Sequence, residues 1–193
     1  MLQPLYDRLI ALSGSPRAPY ALAVVAFAES SVFPIPPDVL LAPMALANPK
    51  RAWTFALICT IASVLGGMLG YAIGAFLFDT VGHWLIHLYG YADRVAALKA
   101  SYARWGALII LLKGLTPIPY KLVTIVSGLL GYNFAWFVAL SIVTRGLRFF
   151  LVAGALNLFG DRLRGAMERH FAAFVAISVA FVVLGFIIAA HAL

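Results

Sequence analysis

Residues Phe27 to Pro49 read FAESSVFPIPPDVLLAPMALANP, and this stretch restricts the fold of the chain more tightly than any other. Glu29 and Asp38 stand on either side of Pro34-Ile35-Pro36-Pro37, inside sequence that is otherwise apolar enough for a membrane. Each proline removes a backbone donor and clashes with the preceding turn, so three in four residues end a helix. A carboxylate at membrane depth costs at least ~2.5 kcal/mol and survives where it faces a polar cavity or a partner. One straight spanning helix is therefore excluded. The expected element is a broken or re-entrant segment lining a site, because non-helical backbone is tolerated at depth only against protein or water.

The surrounding composition sets the solvent. With 64% apolar and 11% charged residues and a mean hydropathy of +0.99, the chain reads as an integral membrane protein and not as a soluble domain. Its net charge of +7 is spread through loops between apolar runs, as topology signals and headgroup contacts are, and nucleic acid is not expected as a partner. The single cysteine, Cys59, lies in an apolar run and reads as a small buried hydrophobe, with no internal disulfide open to it. Arg8 and Arg17 before the apolar Tyr20 to Ala28 imitate a cleaved leader, but Asp7 and the internal repeat below argue for retention. Leu2, Leu5, Leu9 and Leu12 fall on one helical side, which predicts a surface helix within an N-terminal segment of residues 1–19.

Ala52 to Phe78 carries no charge and is long enough to cross a ~30 Å hydrocarbon core. Gly66, Gly70 and Gly74 recur within it every four residues, which forms a groove where another helix backbone can come close. A dinucleotide-binding loop is the rival, but the G-x-G-x-x-G order is absent. Residues 79–105 form an interfacial linker that mixes charges with Trp84, Tyr89, Tyr91, Tyr102 and Trp105. His83 and His87 share a helical face there, but nothing completes a ligand set, so no metal is expected.

From Gly106 the membrane pattern resumes, with a second broken element around Pro117-Ile118-Pro119 flanked by Lys113 and Lys121. The offset 117 − 34 = 83 also aligns Ala52-Trp53 with Ala135-Trp136, and places Asp38 on Lys121 and Glu29 within one residue of Lys113. The fold expected is thus an all-α integral membrane protein with an internal repeat, its halves about 20–78 and 106–160. Each half holds a proline-broken, re-entrant hairpin, with transmembrane helices beside it. Two carboxylates and two amines around paired breaks resemble the way repeat-built transporters assemble a midplane site. Arg145 and Arg148, three apart in the apolar run Phe134 to Gly160, can offer two guanidinium forks to a phosphate. Asp161 to His170 reads as a basic linker, and Phe171 to Leu193 as a terminal transmembrane helix, giving a C-terminal segment of residues 161–193.

Two topologies satisfy the positive-inside rule. Re-entrant breaks give inverted repeats, with Arg8, Arg17, Lys50, Arg51, Arg162, Arg164 and Arg169 opposite Arg94, Lys99 and Arg104; fully spanning breaks give parallel repeats. Prolines and intramembrane charge favour the re-entrant arrangement, and both put the N-terminus in the cytoplasm.

Glu29 with Phe33-Pro34-Ile35-Pro36-Pro37-Asp38, the glycines Gly66, Gly67, Gly70 and Gly74 around Tyr71, and the segment from Lys113 to Gly128 together resemble the DedA family of SNARE-associated or VTT-domain proteins, in its shorter YqaA-like branch. The resemblance covers about residues 20–160. It implies a bacterial inner-membrane protein with two opposed re-entrant hairpins that moves lipid across the bilayer, polyprenyl phosphate or phospholipid, in some members coupled to protons. Glu29 and Asp38 match the family's acidic pair. Lys113 and Lys121 stand near arginines of typical members, and Pro119 is additional, which leaves bidentate phosphate recognition to Arg145 and Arg148.

The function expected is lipid transport by a flippase or scramblase, without cofactor or enzymatic chemistry. Glu29 and Asp38 serve ion pairing or proton coupling, and Lys113, Lys121, Arg145 and Arg148 bind the headgroup phosphate. Membrane lipids and protons are the partners, and the oligomeric state stays open, a homo-oligomer included. A scaffold built on the glycine groove is the alternative, followed by an intramembrane lipid-phosphate enzyme.

Overall fold

The computed structural model describes residues 15, 17–31, 36–82, 92–115, 120–160 and 180. The surface helix expected over residues 1–13, Pro34, Pro117, Pro119, His83, His87 and nearly all of residues 161–193 lie outside them, as does the side chain of Lys113. The described chain is helical, with no strand. Helix α1 covers Ala18–Ser31, α2 Asp38–Ala47, α3 Ala52–Leu77, α4 Ala92–Leu115 and α5 Tyr120–Leu129. Helix α6 covers Phe134–Gly160. A 3-10 turn at Pro49–Arg51 leads into α3, and a π turn at Phe78–Gly82 extends it.

The order helix, ten-residue helix, long apolar helix therefore occurs twice, and the two copies follow the sequence repeat. Helix α4 runs unbroken through position 106, so the expected boundary between interfacial linker and second half falls inside a helix. Local chemistry explains the corners. Pro37 sits before α2, where its missing N–H is no loss, and its carbonyl accepts from Leu40 and Leu41 at 3.0 and 2.8 Å. After α5, Gly131 adopts φ +68°, and Tyr132 N–H donates to the Ser127 carbonyl at 2.9 Å while Gly131 N–H donates to Gly128 at 3.0 Å. That left-handed residue satisfies the last carbonyls of α5 and needs glycine. Asn133 then caps α6, its Oδ1 accepting from Trp136 N–H at 3.0 Å.

The long helices α3 and α6 run antiparallel. Trp53 stacks on Phe150 with ring centroids 5.8 Å apart, Ser63 meets Arg145, and Tyr71 meets Phe134 and Phe137, so numbers rise on one helix as they fall on the other. Helices α1 and α5 pack on α3 along its glycines. A Cβ at Gly66 would meet the Phe27 carbonyl, one at Gly70 the Thr124 side chain, and one at Gly74 the Ile125 carbonyl; reciprocally, one at Gly128 would meet the Tyr71 carbonyl. Backbone contact at this range requires glycine. The groove is thus filled from within the chain.

Two apolar cores lie at opposite ends. One joins Leu22, Leu41, Phe55, Cys59, Phe149 and Leu156, and the other joins Ile110, Tyr120, Val123 and Phe137. Outside, Trp53, Leu57, Ile61, Leu65, Leu69 and Ile73 form an exposed apolar stripe along α3. Small and polar side chains face inward instead, among them Ser63, Thr124, Ser127, Ser141 and Thr144. Apolar outside and small or polar inside is the arrangement a hydrocarbon solvent favours. Pro49–Thr80 and Phe134–Gly160 are both long and apolar enough to cross a bilayer.

Candidate functional site

Between the two cores, near the middle of both long helices, lie two carboxylate–guanidinium pairs. Arg145 Nη2 donates to Glu29 Oε2 at 2.5 Å, and Arg148 Nη2 to Asp38 Oδ2 at 2.5 Å. Each pair joins the first half of the chain to α6, and the three-residue spacing on α6 is what turns both guanidinium groups to the same side. Arg145 is 1% exposed and Glu29 11%. A charge so enclosed costs several kcal/mol unless it is paired and further hydrogen-bonded.

The Arg145 pair meets that requirement. Its Nε donates to Ser63 Oγ at 2.5 Å, Ser30 and Ser63 hydroxyls lie 2.6 Å apart, and Ser30 Oγ donates to Glu29 Oε2 at 3.0 Å. A hydroxyl has one proton, and that of Ser30 goes to Glu29, so Ser63 donates to Ser30. The result is a closed circuit from guanidinium through two hydroxyls to the carboxylate and back. The guanidinium carbon lies 4.8 Å from the Tyr120 ring centroid and 4.9 Å from that of Phe149. Cation–π attraction from both rings adds to the pair in a dry setting. Tyr120 is itself held, its hydroxyl 2.6 Å from Ser141 Oγ, which donates to the Phe137 carbonyl at 2.6 Å.

The second pair is simpler. Arg148 is 21% exposed and Asp38 15%, and Asp38 Oδ1 is buried without a hydrogen-bond partner. Lys121, half-buried at the start of α5, lies within electrostatic reach of Glu29, and its carbonyl accepts from Thr124 Oγ1 at 2.9 Å. Thr124 Oγ1 also lies 3.3 Å from the Ser30 carbonyl, which joins the end of α1 to α5.

Glu29, Asp38, Arg145 and Arg148 are thus brought together, with Lys121 at the margin. The repeat matches Asp38 with Lys121 by position, yet in space Asp38 meets Arg148. Repeat-equivalent positions are related across a pseudo-symmetry axis and need not touch, so the offset identified the charged elements without identifying the contacts. Ser30, Ser63, Tyr120 and Phe149 were not singled out from the sequence. Ser30 and Ser63 stood out only as isolated hydroxyls in apolar runs, and Tyr120 only by following Pro119. No cluster of three or more metal-ligating side chains occurs among the described residues. A cavity of about 710 Å³ opens elsewhere, lined by Lys99, Tyr102, Tyr132, Asn133 and Trp136 and by none of the paired residues.

Residues 35–158 match the VTT domain. The chain belongs to the VTT-domain family, also called DedA. This VTT-domain chain is 38% identical over 165 residues to an uncharacterized protein of Haemophilus influenzae, covering 86% of the chain and 85% of the relative. It is 34% identical over 168 residues to an uncharacterized protein of Histophilus somni, covering 85% and 87%. No solved structure matches. VTT-domain proteins are membrane proteins associated with transport, and the matched range holds Asp38, Lys121, Arg145 and Arg148, while Glu29 lies just before it.

Proposed function

We propose that this VTT-domain protein moves an anionic lipid headgroup, of polyprenyl-phosphate or phospholipid type, across the bacterial inner membrane. The observation that carries the reading is the pair of carboxylate–arginine bridges enclosed near the middle of the long helices, between the two halves of the repeat. Buried ion pairs are a poor way to gain stability, since apolar replacements of similar volume serve as well or better. Intramembrane charges that join two repeats are instead the usual mark of a transport pathway. Lys113 and Lys121 are assigned to attract the phosphate, and Glu29 and Asp38 to ion pairing or proton coupling.

Re-entrant breaks with inverted repeats are part of the proposal. Helices α2 and α5 have 10 residues each, about 15 Å at ~1.5 Å per residue, half of a ~30 Å hydrocarbon core. Tyr120 starts α5 beside Gly67, and Asp38 starts α2 beside Arg148, so both short helices begin near the middle of the long ones. Equivalent helices α3 and α6 run antiparallel, as an inverted repeat requires.

The scaffold alternative drew on the glycine groove as a docking face for other proteins. That groove holds α1 and α5 of the same chain, which supports transport over scaffolding. The test is headgroup flipping in proteoliposomes containing the wild-type protein or Glu29→Gln, against empty liposomes. Flipping by wild type and its loss in the variant is expected; equal rates in all three refute the proposal.

A further inference from the structure

The two ion pairs are closed to different degrees. Arg145 keeps Glu29, Ser30 and Ser63 as hydrogen-bond partners and two aromatic rings as walls, at 1% exposure. Arg148 is 21% exposed, and Asp38 is its one polar partner among the described residues. Asp38 in turn leaves Oδ1 buried and unpartnered. An anion that took the Arg145 guanidinium would have to break a closed circuit and find room between Tyr120 and Phe149. An anion that took Arg148 would replace a single carboxylate oxygen.

We propose that Arg148–Asp38 is the exchangeable pair, in which a phosphate displaces the Asp38 carboxylate, while Arg145–Glu29 is a fixed pin joining the two halves. For its ligand this rests on the transport reading. It goes further by giving two adjacent, similarly spaced arginines different duties: Arg148 meets the phosphate, and Arg145 holds the wall against which it moves. A guanidinium already partnered on Nε and Nη2 has little left to offer a second anion, whereas one bound through a single Nη2 retains most of its fork.

The experiment measures binding of dioctanoyl phosphatidic acid to the full chain in detergent micelles, with dioctanoylglycerol as the phosphate-free control. Asp38→Asn removes the competing carboxylate and is expected to tighten phosphatidic acid binding at least threefold. Glu29→Gln is expected to give no such gain, and Arg148→Gln to weaken binding at least tenfold. A merely structural role for Asp38 would not produce a gain in affinity. Tightening by Glu29→Gln with none from Asp38→Asn would reverse the assignment and overturn the proposal. Absence of any phosphate-dependent binding to the wild type would instead overturn the ligand, and the transport reading with it. A second measurement needs no variant: the Nε–H of Arg145 is expected to exchange with solvent at least tenfold more slowly than that of Arg148 in the wild-type protein. Equal exchange would overturn the distinction whatever the ligand.

Discussion

Removing Arg145 by Arg145→Met leaves Glu29 enclosed beside the Ser30 hydroxyl and without its guanidinium partner. At an effective dielectric of 20, unit charges about 4 Å apart attract by about 4 kcal/mol, and breaking a buried pair by deleting one partner costs about 3–5 kcal/mol. The low exposure of both partners, 1% and 11%, means that little solvent screening discounts this. Glu29→Gln alone strands the guanidinium between Tyr120 and Phe149, with the Ser63 contact still made. Combining the two changes removes both charges at once, so the double variant is expected to be less destabilised than the sum of the singles by at least ~2 kcal/mol.

Reversible unfolding in mixed micelles at rising dodecyl sulfate fraction, followed by far-ultraviolet ellipticity, gives the four free energies of this cycle. A parallel cycle with Arg148→Met and Asp38→Asn is expected to show a smaller coupling, because that pair is more exposed and lacks the hydroxyl circuit. Single-variant effects that add to within ~0.5 kcal/mol at the Arg145 pair would refute the reasoning, since independent sites behave in that way. So would the larger coupling at Arg148.

Three further outcomes follow from the packing. Gly74→Ala and Gly128→Ala each drive a Cβ into a neighbouring carbonyl, and overpacking of about 1–3 kcal/mol outweighs the ~1 kcal/mol helix-propensity gain; Gly146→Ala meets only the Thr60 methyl at 3.7 Å and is expected to stabilise the same unfolding transition. Tyr71→Phe keeps the ring against Phe134 and Phe137 but loses the hydroxyl bond to the Tyr132 carbonyl, so a loss of about 1 kcal/mol by the same assay is expected. Cys59 is completely buried, and N-ethylmaleimide is expected to leave it unmodified in the native protein, with mass spectrometry detecting adduct only after unfolding.

The helical class, the two long apolar helices and the double occurrence of the broken element were legible because each is written in local chemistry. A cluster of prolines interrupts a helix, although the lone Pro43 is carried within α2, and an uncharged run has one natural solvent. Pairing was less legible. Charge named Lys113, Lys121, Arg145 and Arg148 together as cations for Glu29 and Asp38 without saying which meets which, and the structure joins Glu29 to Arg145 and Asp38 to Arg148. What decides this is the antiparallel approach of α3 and α6, a tertiary fact set by Trp53 on Phe150 at one end and Tyr71 on Phe137 at the other. No window of the sequence contains both ends. The hydroxyl circuit was still less visible, since Ser30 and Ser63 become informative only once the guanidinium lies between them.

The charges near the middle of the long helices balance one another. Glu29 and Asp38 cancel Arg145 and Arg148, so the four paired groups carry no net charge into the membrane, and the desolvation cost of each is offset by a partner. Lys121 stands beside this set within electrostatic reach of Glu29. An unpaired set of cations would be hard to hold in hydrocarbon, and pairing the arginines offsets that cost. On the transport reading proposed above, an arriving phosphate displaces only one carboxylate, and the partly exposed, singly bonded Arg148–Asp38 pair is where that displacement breaks the fewest contacts.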